Sequence, residues 1–331
     1  MDLSLIWALI IAFAVFAYVV MDGFDLGIGI LFMSFEVGDD RDQAMNAIAP
    51  VWDGNETWLV LGGGGLFAAF PLAYAIVMPA TYPLIIAMLL GLVFRGVAFE
   101  FRWRDPGHRA FWDFAFSAGS LVAAFTQGMI LGALLQGIEV VDRGYAGSWF
   151  DWLTPYTLLC GLGVVAGYVL LGATWLIGKT EHGTQDRAYR AAKRWAVITL
   201  ALMAAVSLYT PFLEAQYYSR WFEMPYMLFA SQVPLLVVII SFFLFRGLMK
   251  RHSWTPFLAS LALFLLGMIG LGVSMYPFIV PDQVTIWDAA APERSQVFML
   301  IGVAIIMPVI IAYTAWAYWV FRGKVGTEGY H

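Results

Sequence analysis

The sequence predicts an all-α fold, a polytopic membrane protein with nine transmembrane helices. Two observations carry this prediction. Of the 331 residues, 61% are apolar and only 12% are charged, whereas soluble domains carry about 25% charged residues. The apolar residues are also gathered into nine segments of roughly 20 residues or more, the length that a helix needs to cross a bilayer.

The nine predicted spans follow one another along the chain. In order they cover residues 3–33, 54–77, 80–101, 111–138, 152–178, 190–213, 224–247, 254–278 and 295–321. We interpret the first span as a retained helix and not as a signal peptide, because neither a basic start nor a small-residue cleavage site accompanies it. No linker or repeat divides the chain, so we expect a single transmembrane domain over residues 1–331. Its helices pack as one bundle or, as we favour, as two four-helix bundles with one peripheral helix.

The distribution of basic residues predicts how the helices are oriented. Fourteen of the 18 lysines and arginines follow the first, third, fifth, seventh or ninth span, whereas the alternate loops hold only Arg143, Arg220 and Arg294. Cytoplasmic loops of membrane proteins are enriched in Lys and Arg. We therefore expect the C-terminus to lie in the cytoplasm and the N-terminus to face outside, which is the periplasm if this is a bacterial inner-membrane protein.

Composition also excludes several kinds of function. The net charge of −5 gives no indication of a nucleic-acid partner. The one cysteine, Cys160, excludes an intramolecular disulfide and a multi-cysteine metal site. Haem in a membrane bundle is usually held by histidine, but the four histidines all fall in loops or the tail: His108, His182, His252 and His331. We therefore predict that this chain binds no metal or haem by its own ligands and contains no catalytic residue.

Two acidic runs within or beside the apolar segments are the strongest indication of function. They read Met21-Asp-Gly-Phe-Asp-Leu-Gly and Trp52-Asp-Gly-Asn-Glu-Thr-Trp. A carboxylate in hydrocarbon costs several kcal/mol unless it is paired, hydrated or neutralised. With the predicted topology, six carboxylates and one arginine meet at the cytoplasmic face: Asp22, Asp25, Asp53, Glu56, Arg95, Glu100 and Asp113. Such a group fits a route by which protons enter the membrane.

These residues also have structural interpretations. Asp53 and Glu56 have the spacing of a capping box, and Asp113 lies where a helix dipole favours an anion. Glu100 fits an ion pair with neighbouring arginines. Asp25, deep in an apolar pattern, fits either a functional role or a buried pairing with Arg95.

Two sets of glycines look like nucleotide-binding motifs without matching them. Gly62–Gly65 lacks the Lys-Ser/Thr that follows in a P-loop, and the glycines at 23, 27 and 29 follow no strand. Small residues let transmembrane helices approach closely, so we expect both sets at helix crossings. Asn55-Glu-Thr57 matches the N-glycosylation pattern, which on the predicted cytoplasmic side is a chance match.

The order of motifs in the first 140 residues is specific. Met21-Asp-Gly-Phe-Asp-Leu-Gly is followed by Ile48-Ala-Pro-Val-Trp-Asp-Gly-Asn-Glu-Thr-Trp-Leu, Gly63-Gly-Gly-Leu-Phe-Ala-Ala-Phe-Pro, Phe94-Arg-Gly-Val-Ala-Phe-Glu, Trp112-Asp-Phe-Ala-Phe and Leu135-Gln-Gly. With these motifs the chain resembles subunit II of the cytochrome bd-type quinol oxidases, a group that includes the cyanide-insensitive branch. Beyond them the resemblance rests on helix count and topology.

The resemblance implies a subunit of a membrane oxidase that is not catalytic alone. In that family a heterodimer oxidises quinol, such as ubiquinol, and reduces O₂ to water. Subunit I carries the quinol site and three haems, two of type b and one of type d or b. Subunit II is a homologous nine-helix partner without haem ligands that supports assembly. Protons for water come from the cytoplasm and quinol protons leave outside, so a proton gradient forms without pumping.

The resemblance also implies further components and residue roles. A small single-helix accessory subunit, and a quinone or lipid held as structural filler, occur in the family. In the family, the positions that match Asp25, Trp52, Asp53, Arg95 and Asp113 are associated with proton delivery or with an intact haem site. We assign the proton pathway to Asp25, Asp53, Glu56 and Asp113, and orienting roles to Asp22, Trp52, Arg95 and Glu100. Two alternatives stay open: a proton-coupled secondary transporter, and a purely structural membrane subunit whose acids only cap helices.

Overall fold

The computed structural model describes residues 2–326, which are almost entirely helical. The α-helices in that range are α1 (Leu3–Leu31), α2 (Asp39–Asn46), α3 (Trp52–Ala69), α4 (Pro71–Arg104), α5 (Arg109–Leu135), α6 (Pro155–Lys179), α7 (His182–Tyr209), α8 (Ala215–Phe222), α9 (Tyr226–Ala230), α10 (Gln232–Met249), α11 (Thr255–Met275) and α12 (Glu293–Val320). Short 3₁₀ turns occur at Phe32–Ser34, Pro106–His108 and Thr210–Phe212. Two antiparallel hairpins lie in loops: β1 (Val140–Val141) with β2 (Gly144–Tyr145), and β3 (Phe278–Val280) with β4 (Val284–Thr285).

Within residues 2–326, eight helical segments are long and apolar enough to cross a membrane. They contain α1, α4, α5, α6, α7, α9 together with α10, α11, and α12. Helix α3 has 18 residues but is not among them, because its first two turns hold Asp53, Asn55 and Glu56 and four glycines follow. The all-α polytopic fold is confirmed, and the count of nine spans stays a prediction.

The boundary between the second and third predicted helices is wrong. We expected the break at residues 78–79, whereas the helix ends before Phe70 and α4 begins at Pro71. Phe70 has non-helical dihedral angles, φ −130° and ψ 63°. The missing N–H of Pro71 leaves no hydrogen bond unmade in the first turn of α4. Helix α4 then runs through Pro79 and Pro83, because transmembrane helices tolerate internal prolines.

The two ends of the bundle differ in charge. The last turns of α1, α4, α6, α10 and α12 meet the starts of α3, α5, α7 and α11 at one end, which we call the basic end. There the Lys179 amine donates to the carbonyl of Phe321. At the opposite end, the Trp287 indole donates to Asp2 at 2.8 Å. The fourteen basic residues that follow the odd-numbered predicted spans all lie at the basic end.

The helices pack in two groups of four. Helices α1, α3, α4 and α5 contact one another, as do α6, α7, α10 and α11, and α6 joins the groups by packing against α1 and α5. Helix α12 contacts α1 and α3 at the periphery, and none of its most apolar stretch is buried within the chain. This arrangement agrees with the predicted pair of four-helix bundles and one peripheral helix.

Glycines allow the closest helix crossings. A Cβ atom at Gly27 would lie 1.8 Å from the carbonyl oxygen of Tyr168, so α1 and α6 touch backbone to backbone. In the run Gly62–Gly65, a Cβ on either outer glycine would lie 3.3 or 3.2 Å from side chains of α1. Gly63 and Gly64 have no such neighbour within 4 Å. The predicted crossing is therefore confirmed for Gly62 and Gly65 against α1, and for Gly63 and Gly64 it stays a prediction.

Candidate functional site

A cluster of completely buried charges joins α1 and α4. The guanidinium of Arg95, on α4, has no exposed surface, and its Nη1 lies 2.6 Å from Oδ1 of Asp22. Its Nη2 lies 4.0 Å from Oδ2 of Asp25, almost one turn further along α1. Both carboxyl side chains are also completely buried. The closer partner of Arg95 is therefore Asp22, and Asp25 stands at the outer limit of an ion pair.

The Arg95 cluster, which comprises Asp22, Asp25 and Arg95, holds one cation and two carboxyl groups. If both carboxyls were ionised, one uncompensated negative charge would remain in a low-dielectric interior, which is strongly unfavourable. One bound proton makes the cluster neutral, because two carboxyls so close to each other do not readily ionise together. The arrangement can therefore hold one exchangeable proton.

An amide and a phenol complete the surroundings of Asp25. The Nδ2 of Asn55 donates to Oδ2 of Asp25 at 2.7 Å, and the Tyr318 hydroxyl donates to Oδ1 of Asn55 at 2.7 Å. Neither residue was predicted from the sequence as part of the site. Asn55 was recognised only as a chance glycosylation match, although its place between two acids of one run was a usable signal. Tyr318 is separated from Asn55 by 263 positions, and no sequence pattern connects them.

Trp52 covers one side of the Arg95 cluster. Its ring lies 5.7 Å from Cζ of Arg95, within the range of a cation–π contact. The same ring stacks on Phe99 with the centroids 4.6 Å apart and the planes 2° apart. Trp52, at the start of α3, thus packs against the guanidinium and is itself supported by Phe99, near the end of α4.

The acids of α3 lead from the surface toward the cluster. Asp53 is exposed and Glu56 is partly buried, and Glu56 is close enough to Arg95 and Asp25 to interact with them electrostatically. The capping-box alternative is wrong for this helix, because α3 begins after Val51 and no side chain caps it. The two acids are therefore not engaged in helix capping.

Asp113 lies in a different cluster at the basic end. Its Oδ2 is 2.7 Å from Nη1 of Arg41, and its Oδ1 is 2.5 Å from Nε of Arg102. Arg102 also pairs with Asp42 at 2.7 Å, and Arg109 pairs with the same carboxylate. Asp113 was predicted to act together with Asp25, whereas the structure places an arginine on each of its two oxygens. The helix-dipole alternative is not supported, because no acidic residue falls in the first turn of α5.

Glu100 belongs to neither cluster. It pairs with Arg104, one turn further along α4, at 3.2 Å, and the two side chains are 62% and 75% exposed. An exposed pair of this kind contributes about 0–1 kcal/mol. The geometry matches the ion pair that the sequence offered as an alternative.

A second polar chain reaches α1 from the middle of the bundle. The Gln127 amide donates to the hydroxyl of Tyr18 at 2.8 Å, and the Tyr168 hydroxyl donates to the carbonyl oxygen of Gln127 at 2.8 Å. Tyr18 precedes Asp22 by four residues, so the two side chains share one face of α1. Side chains from α1, α5 and α6 thus form one chain of hydrogen bonds that ends beside the Arg95 cluster.

No metal-binding group of three or more His, Cys, Asp and Glu side chains occurs in the described part of the chain. His108, His182 and His252 lie at the basic end, outside the Arg95 cluster, and His331 falls outside the described residues. The absence of haem ligands in this chain therefore stays a prediction.

Comparison with known proteins identifies the family. The family described as "Cytochrome bd terminal oxidase subunit II" matches residues 3–321. The chain belongs to the cytochrome bd terminal oxidase subunit II family. As such a subunit II, it is an inner-membrane component of an oxidoreductase complex that contains haem and a subunit I.

Relatives of this subunit II match over almost their whole length. "Cytochrome bd-I ubiquinol oxidase subunit 2" of Escherichia coli (strain K12) is 30% identical, covering 98% of this chain and 96% of that protein. "Probable cytochrome oxidase subunit 2" of Haemophilus influenzae is 29% identical, covering 98% and 95%. "Cytochrome bd ubiquinol oxidase subunit 2" of Bacillus subtilis (strain 168) is 28% identical, covering 97% and 96%.

A solved structure agrees with the fold of this subunit II. A chain of the bd oxidase from Geobacillus thermodenitrificans superposes with a TM-score of 0.75, covering 98% of this chain and 100% of that chain. The sequence identity is 18%, so this likeness supports the architecture alone.

Proposed function

We propose that this subunit II is haem-free, supports assembly of subunit I, and supplies the route by which protons reach the site of O₂ reduction. In this proposal subunit I binds quinol, haem b, and haem d or a further haem b, and it reduces O₂ to water. The relatives named as ubiquinol oxidase subunits support that reaction. The observation that carries the proton route is the Arg95 cluster, in which two completely buried carboxyls share one arginine.

The proposed route begins at the exposed carboxyl of Asp53, at the start of α3. It continues through the partly buried Glu56, one turn further along, and reaches Asp25 on α1. Burial increases along these three residues, as a path from water into hydrocarbon requires. Ionisable groups and water are needed for such a path, because protons do not cross hydrocarbon alone.

The remaining polar groups orient the route in this proposal. Asp22 holds Arg95 in place, and the ring of Trp52 covers its guanidinium. Glu100, which we expected to orient the cluster, pairs with Arg104 on an exposed face, so its contribution is confined to the end of α4.

Asp113 takes a structural role in the revised proposal. Each oxygen of Asp113 already contacts an arginine, so neither is positioned to pass a proton toward Asp25. Its contacts with Arg41 and Arg102 fasten α2 and α4 to α5. We therefore remove Asp113 from the proton route to which its sequence position had assigned it.

The direction of proton uptake follows from the charge of the two ends. The basic end carries most of the lysines and arginines, which favours the cytoplasmic side. In the proposal the N-terminus is periplasmic and the C-terminus cytoplasmic. Protons then enter from the cytoplasm, and the complex builds a proton gradient without pumping.

The outer face of α3 and α4 suits a partner helix bundle. A Cβ atom on Gly63 or Gly64 would meet nothing within 4 Å in the described chain, and Val60, Val93 and Phe94 are exposed at 52–74% of their surface. We assign this apolar face to subunit I, which would place Asp53 and Glu56 beside the partner. A quinone or lipid as filler, and a single-helix accessory subunit, remain part of the proposal by family resemblance.

The two alternatives have less support. A purely structural subunit would use its acids as caps, but α3 has no side-chain cap. A secondary transporter needs a binding site near the bilayer midplane between repeats, whereas the described acids of the route gather toward one end.

The variant Asp25→Asn tests the proton route. It should be made in the whole complex and purified through a tag on this chain. We expect normal haem spectra and at least about a tenfold loss of quinol oxidase turnover, which corresponds to about 1.4 kcal/mol in the barrier. Asp39→Asn changes an exposed acid at the basic end and should leave turnover unchanged. Full turnover of Asp25→Asn with normal haems would contradict the proposal.

A further inference from the structure

The peripheral helix α12 contributes one side chain to the surroundings of the Arg95 cluster. Although no part of its most apolar stretch is buried within the chain, the hydroxyl of Tyr318 donates to Oδ1 of Asn55 at 2.7 Å. The ring of Tyr318 also packs edge-on against Trp175, with the centroids 5.9 Å apart. This contact gives α12 a connection to the proton route.

The direction of these hydrogen bonds fixes one oxygen of Asp25. With Oδ1 of Asn55 taken by the tyrosine hydroxyl, the amide presents its Nδ2 to Oδ2 of Asp25, at 2.7 Å. The reversed amide would place its own oxygen against that carboxylate oxygen, and two acceptors cannot share a hydrogen bond without an added proton. Oδ2 of Asp25 is therefore an acceptor in this structure.

The two oxygens of Asp25 differ in their surroundings. Oδ2 accepts from Asn55 and lies 4.0 Å from Nη2 of Arg95. Oδ1 is buried and has no hydrogen-bond partner among residues 2–326. Buried polar atoms without a hydrogen-bond partner are uncommon in folded proteins, and this oxygen is free to bind a proton.

We propose that Tyr318 and Asn55 are positioning residues that hold Oδ2 of Asp25 so that the proton is gained and lost at Oδ1. The inference rests on the proposed function and adds the atom at which exchange takes place. The amide itself does not carry the proton, because neither its oxygen nor its nitrogen both donates and accepts. The route therefore does not continue through Asn55 toward α12.

The variant Tyr318→Phe tests this inference in the purified complex. It removes only the hydroxyl that orients the Asn55 amide. We expect quinol oxidase turnover to fall about two- to tenfold, the range given by the loss of one hydrogen bond, together with a changed pH profile. The infrared carboxyl band that Asp25→Asn abolishes should shift, and haem content should stay normal.

A matched control lies five residues earlier on the same helix. Tyr313 is 67% exposed and is not part of the cluster, so Tyr313→Phe should retain wild-type turnover, pH profile and infrared band. Wild-type values of all three in Tyr318→Phe would overturn the inference. If Asp25→Asn itself keeps full turnover, the proposed function fails. If only Tyr318→Phe behaves as wild type, the proton route stands and the positioning role is refuted.

Discussion

The guanidinium of Arg95 and the carboxyl of Asp22 lie 2.6 Å apart, and neither side chain has exposed surface. The second carboxyl, Asp25, is 4.0 Å from the same guanidinium. This asymmetry separates two tasks. In the proposed route Asp22 neutralises the arginine, whereas Asp25, which lies farther from the guanidinium, exchanges the proton.

Replacing Arg95 by alanine should damage the complex. Removal of one partner of a buried ion pair costs about 3–5 kcal/mol, because a charge is left uncompensated, and here two carboxyls lose the same partner. We expect a low haem-to-protein ratio and a lower midpoint of thermal unfolding. Arg194→Ala, an exposed change on α7, is the control. A stable Arg95→Ala complex with unaltered haem spectra would count against the structural role of this pair.

Asp53→Asn should slow the oxidase without impairing assembly. Asp53 is exposed at the mouth of α3 and makes no cap, so its loss removes a proton-collecting carboxyl and leaves the packing intact. We expect turnover to fall several-fold at neutral pH, with less effect in acid, where protons are abundant. Turnover and haem content of the purified variant provide the measurement. Equal turnover at every pH would exclude Asp53 from the route.

Asp113→Asn should affect stability rather than proton delivery. The change leaves Arg41 and Arg102 without the charge that each contacts at 2.7 and 2.5 Å. We expect less assembled complex and a lower thermal midpoint, by about 3–5 kcal/mol in unfolding free energy, but nearly normal turnover per haem. A well-assembled variant with slow turnover would return Asp113 to the proton route.

Glu214, in the loop before α8, should make stability depend on pH. Burial raises the pKa of Glu214 above its ordinary value of 4.5, and the neighbouring Asp282 carboxyl raises it further. The folded chain therefore binds this proton more tightly than the unfolded chain. That contribution to stability is fully present below the ordinary pKa and is lost as pH rises through the higher pKa of the folded state.

Glu214→Gln checks this pH dependence. The variant removes the titrating group, so its thermal midpoint should fall less than that of the wild-type complex when the pH is raised from about 4 to about 7. Glu223→Gln, at the end of the neighbouring helix α8, serves as the control. An unchanged pH dependence in Glu214→Gln would assign the effect to other groups.

The helices and the buried charges were predictable from the sequence for one physical reason. Hydrocarbon tolerates few ionisable groups, so Asp25 and Arg95 stand out among apolar neighbours, and each indicates a buried partner of opposite charge. A related argument placed the helix crossing at Gly27, where small residues permit backbone contact.

Contacts between residues far apart in the sequence could not be predicted from hydropathy and charge alone. Asp113 and Arg41 are 72 positions apart, and nothing local indicates that α2 folds back to meet α5. The break between α3 and α4 was misplaced because the apolar pattern continues across Pro71 as far as residue 77, whereas a proline at the first position of a helix can start it. Which side chains form an ion pair over such a separation depends on which helices pack together in the folded chain.

Proton uptake during O₂ reduction tests the central claim most directly. The reduced complex with Asp25→Asn should be mixed with O₂ while haem absorbance and proton uptake from the medium are recorded together. We predict that electrons still reach the haems at the wild-type rate and that proton uptake is slowed about tenfold or more. Proton uptake at the wild-type rate in this variant would contradict the account.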